Sequence, residues 1–97
     1  MREYEITFII QPKLEEAARE QLIERVLGWI SGGDDSAEKP TVNHWGMRSL
    51  AYPIKKFTEG YYVLVETKMA PENVKELERN LEIAEDVLRY LVVRKDS

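Results

Sequence analysis

Gly46-Met47-Arg48-Ser49-Leu50-Ala51-Tyr52-Pro53-Ile54-Lys55-Lys56 begins as a strand, breaks at its proline and ends on two lysines. A few residues later Gly60-Tyr61-Tyr62-Val63-Leu64-Val65 starts a second strand, so the two segments form a β-hairpin with a basic loop. The hairpin lies mid-chain, and what flanks it on either side decides the architecture.

Upstream, Tyr4, Ile6, Phe8 and Ile10 alternate with Glu3, Glu5, Thr7 and Ile9, the period of a half-buried strand. Gln11-Pro12 stops that strand, because proline has no N–H to give to a ladder. From Leu14 the period changes. Leu14, Ala18, Leu22, Val26 and Ile30 recur every four residues, and Ala17, Ile23, Leu27 and Trp29 widen the stripe, which predicts an amphipathic helix. Ser31-Gly32-Gly33-Asp34-Asp35-Ser36 reads as the helix stop and a solvated, flexible loop.

The hairpin strands are expected over about Thr41 to Ala51 and Gly60 to Met69. Ala70-Pro71-Glu72-Asn73 opens a second helix, with proline in the first turn and an acid near the positive end. Val74, Leu77, Leu81 and Ala84 form its apolar stripe, and Val87–Arg94, rich in β-branched and aromatic residues, is a fourth strand. The order is β-α-β-β-α-β. One four-stranded antiparallel sheet with both helices on one face buries both stripes, the α+β ferredoxin-like arrangement. The expected spatial order is fourth, first, third, second, which leaves the second and fourth strands as edges.

At 97 residues the chain is expected to be one domain, 1–97. With 43% hydrophobic and 33% charged residues it has the composition of a soluble globular protein. No apolar run reaches the length needed to cross a bilayer, and the start Met1-Arg2-Glu3-Tyr4-Glu5 lacks a signal-peptide core, so a cytosolic protein is expected. The absence of cysteine excludes disulfides, thiolate zinc sites and cysteine nucleophiles.

The net charge of −4 argues against indiscriminate nucleic-acid binding, yet the charges are segregated. Residues 14–38 carry seven acids and two bases, and residues 72–86 carry six acids and two bases. The remainder holds five acids and ten bases, so one acidic side and one basic edge are expected. Solubility alone accounts for acidic helices equally well.

Catalysis finds little support. His44 is the sole histidine, Ser49 has no evident base, and the glutamate pairs Glu20/Glu24 and Glu78/Glu82 read as solvated helix faces. Gly32-Gly33 is followed by two aspartates, which would repel a phosphate. A non-enzyme with no cofactor or metal is expected. The fold is shared with RNA-recognition modules that stack bases on the open sheet face. Here Glu3 and Glu5 occupy that face on the first strand, and Tyr62 is the one outward platform on the third, so the mode is disfavoured. The basic residues gather instead near edges: Arg48, Lys55 and Lys56 around the hairpin, Arg89, Arg94 and Lys95 on the fourth strand and its exit, Arg2 on the first. They suit phosphate contacts, and equally the protection of edge strands from aggregation. Tyr62, Leu64, Leu91 and Val93 fall on the open face as an apolar patch, and Tyr52-Pro53-Ile54 is a further anchor candidate.

Several blocks resemble the bacterial small-subunit ribosomal protein six family. They are Arg2 with Tyr4-Glu5, Gly46 with Arg48 and Leu50-Ala51-Tyr52-Pro53-Ile54, Gly60-Tyr61-Tyr62, and Val87-Leu88-Arg89-Tyr90-Leu91-Val92-Val93. The resemblance extends from Arg2 to about Lys95 and implies the same ferredoxin-like fold. It implies a structural role: binding ribosomal protein eighteen of the small subunit and, with it, the central domain of small-subunit rRNA. By matched position it makes Arg2, Arg48, Lys55, Lys56 and Arg89 the RNA-facing candidates, and Tyr52, Ile54, Tyr62 and Leu64 the partner-facing ones. It implies neither a membrane nor a small-molecule substrate. Two features depart from the family: the chain stops at Asp96-Ser97 where members often continue into a charged tail, and the Ser31-to-Lys39 linker is acidic. The alternative left open by the fold is a metabolite-sensing regulatory domain that forms a homodimer.

Overall fold

The computed structural model describes residues 2–32 and 39–95. The elements follow the expected order: β1 (Arg2–Ile10), α1 (Glu16–Ser31), β2 (Thr41–Ile54), β3 (Phe57–Met69), a 3₁₀ turn (Pro71–Asn73), α2 (Val74–Ile83) and β4 (Val87–Arg94). All strand pairs are antiparallel, and the sheet order is β2-β3-β1-β4. As expected, β2 and β4 are the edges.

Alternation along β1 sends Tyr4, Ile6, Phe8 and Ile10 to one face, where Val63, Val65 and Met69 of β3 join them. The helices close this face with Leu22, Ile23, Val26 and Ile30 from α1 and Leu77 and Leu81 from α2. Each such side chain contributes roughly 1.5–3 kcal/mol when fully buried. Gly32 ends α1 in the left-handed conformation (φ 65°), its N–H donating to the Trp29 carbonyl, as the glycine predicts. The rest of the expected loop, residues 33–36, lies outside the described residues, as do residues 37, 38, 96 and 97.

Two expectations need correction. Helix α1 starts at Glu16, two residues after Leu14, and Ala17 and Ala18 are exposed. A four-residue repeat drifts by about 40° per step around a helix of 3.6 residues per turn, so a long stripe at that spacing leaves the core at one end. Secondly, β2 does not break at Pro53 but continues to Ile54. An edge strand can turn a position without N–H toward solvent, which makes the proline tolerable there. The pairing is irregular between Ser49 and Ile54 and resumes as Ile54 opposite Phe57. The connecting loop is therefore just Lys55 and Lys56.

Candidate functional site

The sheet face away from the helices is open, and its register defines three rows of side chains. Asn43, Leu64, Thr7 and Leu91 lie in one row across β2, β3, β1 and β4. Gly46, Tyr62, Ile9 and Arg89 form the row toward the hairpin tip, and Thr41, Glu66, Glu5 and Val93 the row on the other side. Leu64, in an interior strand, is 9% exposed, whereas Leu91 and Val93 on the β4 edge are 61% and 42% exposed. Thr7, Ile9, Arg89, Tyr90 and Leu91 line a shallow depression beside them. Tyr62, Leu64, Leu91 and Val93 thus share the open face, with Thr7 between Leu64 and Leu91 and Glu5 beside Val93, and Leu91 and Val93 are its exposed apolar residues.

The hairpin tip reaches β4 across one end of the sheet. Tyr52 of β2 lies under the Arg89 guanidinium of β4, 5.5 Å from ring centroid to Cζ, although β2 and β4 are opposite edges. Lys55 likewise reaches a hollow lined by Leu81, Glu82, Val87, Leu88, Arg89 and Tyr90. This reach needs close packing at Gly60, where a Cβ would stand 2.4 Å from the Ile9 Cγ2 and 3.4 Å from the Ile10 carbonyl. Lys55 and Lys56 both have positive φ, 50° and 70°. That pair of values is the signature of the tight turn that matches strand twist, a turn for which Asn-Gly is the usual choice. Lysine at both positions is held there at a conformational cost.

The RNA-facing candidates do not form one patch. Lys55, Lys56 and Arg89 meet at the hairpin end, and Arg48 lies opposite Gly60 on the way to it. Arg2 stands opposite Met69 at the other end of β1, about 27 Å from Ile10 for a nine-residue strand. That end is mixed in charge: Glu5 and Glu66 face each other directly, and Lys95 Nζ lies 4.0 Å and 3.9 Å from their carboxylates. Like charges opposite one another are unfavourable, and the lysine between them offsets this. Of the partner-facing candidates, Tyr62 and Leu64 are on the open face, Tyr52 is at the tip against Arg89, and Ile54 is half-buried beside the turn.

A second contact that spacing does not reveal, after that of Tyr52 with Arg89, lies on the helix side of the sheet. Arg19 of α1 places its guanidinium 4.0 Å from the centroid of Tyr61, whose hydroxyl is 2.9 Å from His44 Nδ1. The Leu14–Ile30 periodicity treats Arg19 as a solvated charge, and nothing in the sequence pairs it with a tyrosine of the third strand. His44 is thereby tied to a structural contact on the helix side of the sheet. Tyr90 donates to Glu82 Oε2 (2.9 Å), and this hydrogen bond, followed by desolvation and the Glu82 and Glu78 charges, raises its pKa above the ordinary tyrosine value.

The profile of the family described as Ribosomal protein S6 matches residues 3–94. The chain belongs to the ribosomal protein S6 family. It is 44% identical over 97 residues to the small ribosomal subunit protein bS6 of Moorella thermoacetica, covering all of this chain and 97% of that one. It is 45% identical over 94 residues to bS6 of Alkaliphilus metalliredigens, covering 97% of each. The crystal structure of 30S ribosomal protein S6 from Thermotoga maritima superposes with a TM-score of 0.84 at 36% identity, over 97% of this chain and 87% of that one. As a member of the S6 family the chain is a protein of the small ribosomal subunit, located with the ribosome in the cytoplasm, and not an enzyme. Membership decides between the two readings left open by the fold, in favour of the ribosomal one over the metabolite sensor.

Proposed function

We propose that the chain binds ribosomal protein eighteen of the small subunit through its open sheet face and, together with it, the central domain of small-subunit rRNA. The observation that carries this reading is the exposed apolar surface at β4, Leu91 and Val93, next to the basic hairpin end in a chain of net charge −4. Apolar area of this kind favours a protein partner, and localised guanidinium and ammonium groups favour phosphate contacts. An acidic chain binds RNA weakly by itself, so a basic partner that supplies positive surface strengthens the assembly. In this reading Tyr62 and Leu64 meet the partner, with Tyr52 and Ile54 at the tip. Arg48, Lys55, Lys56 and Arg89 meet RNA at one end of the sheet and Arg2 at the other. Because Arg89 touches Tyr52, the two surfaces adjoin at the tip and do not fall on separate faces.

The test is binding to a central-domain rRNA fragment with and without protein eighteen. Weak binding by the chain alone and much tighter binding with the partner is the expected result. Equal affinity in both cases would overturn the reading.

A further inference from the structure

The β2 edge holds an exposed aromatic residue that the partner-facing patch does not absorb. Trp45 is 45% exposed. It sits in a bulge, because the register passes from His44 opposite Val63 to Gly46 opposite Tyr62 and leaves Trp45 without an opposing residue. Gly46 next to it has φ 83°, a value that L side chains rarely adopt, and open space where a Cβ would be. A bulge of this kind re-aims a side chain out of the regular alternation. Arg48 places its guanidinium 5.3 Å from the Trp45 ring centroid.

Two further facts bear on what such a ring would meet. Thr41–Ile54 contains no aspartate or glutamate, although the chain has 18 acids. In addition, Trp45 is on the opposite edge of the sheet from Leu91 and Val93, across three strand spacings or about 14 Å. An exposed indole beside an arginine, on a strand free of carboxylates, is electrostatically suited to a nucleic acid. A base has a flat face to stack on the ring, and its phosphate has the guanidinium within reach.

We infer that Trp45 and Arg48 form a base-stacking site for an unpaired nucleotide of the RNA, with Trp45 as the platform and Arg48 holding both the ring and the adjoining phosphate. This inference rests on the RNA-binding reading above and adds a contact of different chemistry from the phosphate contacts of the lysine turn. It also differs from the sheet-face mode of RNA-recognition modules, because the platform is an edge bulge and the central strand position is taken by Glu5.

The experiment uses the full chain labelled with 5-fluorotryptophan, whose two ¹⁹F signals come from Trp29 and Trp45 and are assigned with Trp29→Phe. Protein eighteen is added first and the central-domain rRNA fragment second. The Trp45 signal is expected to shift on addition of RNA while the Trp29 signal stays in place. Trp45→Leu is expected to weaken RNA joining about ten-fold, within the range for loss of one base stack, and to leave affinity for the partner unchanged. Trp45→Phe, which keeps an aromatic face, should recover most of the loss. The unchanged partner affinity also reports that the variants are folded. A Trp45 signal that moves with the partner and no further with RNA overturns the inference in favour of a protein contact. A signal that stays in place when RNA has joined overturns it as well, and in both cases the RNA-binding reading stands. If no RNA joins even with the partner present, both readings fall together.

Discussion

The two faces of one sheet are built from the same strands and serve opposite ends. On the helix side Ile6, Phe8, Ile10, Val63 and Val65 have no exposed surface. One residue along, on the open side, Thr7 and Ile9 are half-buried and Leu91 is 61% exposed. The inner set is enclosed by the protein's own helices, so its apolar area stabilises the fold. The outer set keeps its apolar area in water, where it contributes little to folding and remains available to another molecule. Residues on the two faces are thus expected to respond to mutation differently, the inner ones in stability and the outer ones in binding.

The largest effect belongs to the inner face. Phe8→Ala removes a fully enclosed ring and should cost about 3–5 kcal/mol in denaturant unfolding. Leu91→Thr, which puts a β-branched side chain of good strand propensity on the open face, should stay within about 0.5 kcal/mol of the parent and weaken association with the partner. If the two variants lost similar stability, the division of the faces into fold and interface would be broken.

Gly60 is where that division is locally suspended. It lies in the outward alternation of β3, yet it is buried, because Ile9 and the Ile10 backbone occupy the space its Cβ would need. Gly60→Ala should cost about 1–3 kcal/mol by overpacking. Adding Ile9→Ala removes the Cγ2 in the way, so the double variant should lose less than the sum of the two single ones. Simple additivity would mean that the strain is taken up by the backbone and not by this pair.

The alternation on β1 and the order of elements are legible in the sequence because each rests on local periodicity, and the two edge strands follow from that order by the handedness of the crossovers. Tyr4 to Ile10 show the period of two without interruption, and Val87–Arg94 is a strand with the bounds its composition predicts. Pro53 misleads, since its usual meaning as a strand stop is a local one that lapses on an edge strand, a position the expected sheet order already assigns to β2. The approach of Tyr52 to Arg89 depends on the reach of the hairpin across the whole sheet, and the pairing of Arg19 with Tyr61 on a helix meeting a strand 42 positions later. Neither leaves a trace in spacing. The basic residues themselves are visible in the sequence, but their separation into the hairpin end and the Arg2 end depends on register.

The lysine turn sharpens the comparison from the side of the backbone. Positive φ at two lysines is unfavourable by about 1 kcal/mol or more per residue, and Asn-Gly adopts the same turn readily. Replacing Lys55→Asn together with Lys56→Gly should therefore stabilise the fold by about 1 kcal/mol while weakening RNA assembly. An open-surface function maintained against folding stability has this pattern. A variant that gained stability and assembled normally would show that the two charges serve only to keep the turn in water.

The smallest expected effect concerns Tyr90, which lies on the inward alternation of β4 but donates its hydroxyl to Glu82 at the rim of α2. Its pKa is raised in the folded state, first by the hydrogen bond to Glu82 and then by desolvation and the neighbouring carboxylates. The unfolded chain then releases this proton at lower pH than the folded one. The contribution of the contact is therefore present in full below the ordinary tyrosine pKa of 10.0 and is lost as pH rises through the raised value. Thermal unfolding of the parent should fall more steeply with pH above 10 than that of Tyr90→Phe, and the two should run parallel at neutral pH. Because Tyr90 is at the rim, the difference should be slight. A Tyr90→Phe profile identical to the parent's through the alkaline range would mean that the hydroxyl exchanges Glu82 for water at no net gain, and that the rim of the helix-covered face is as open as the face behind it.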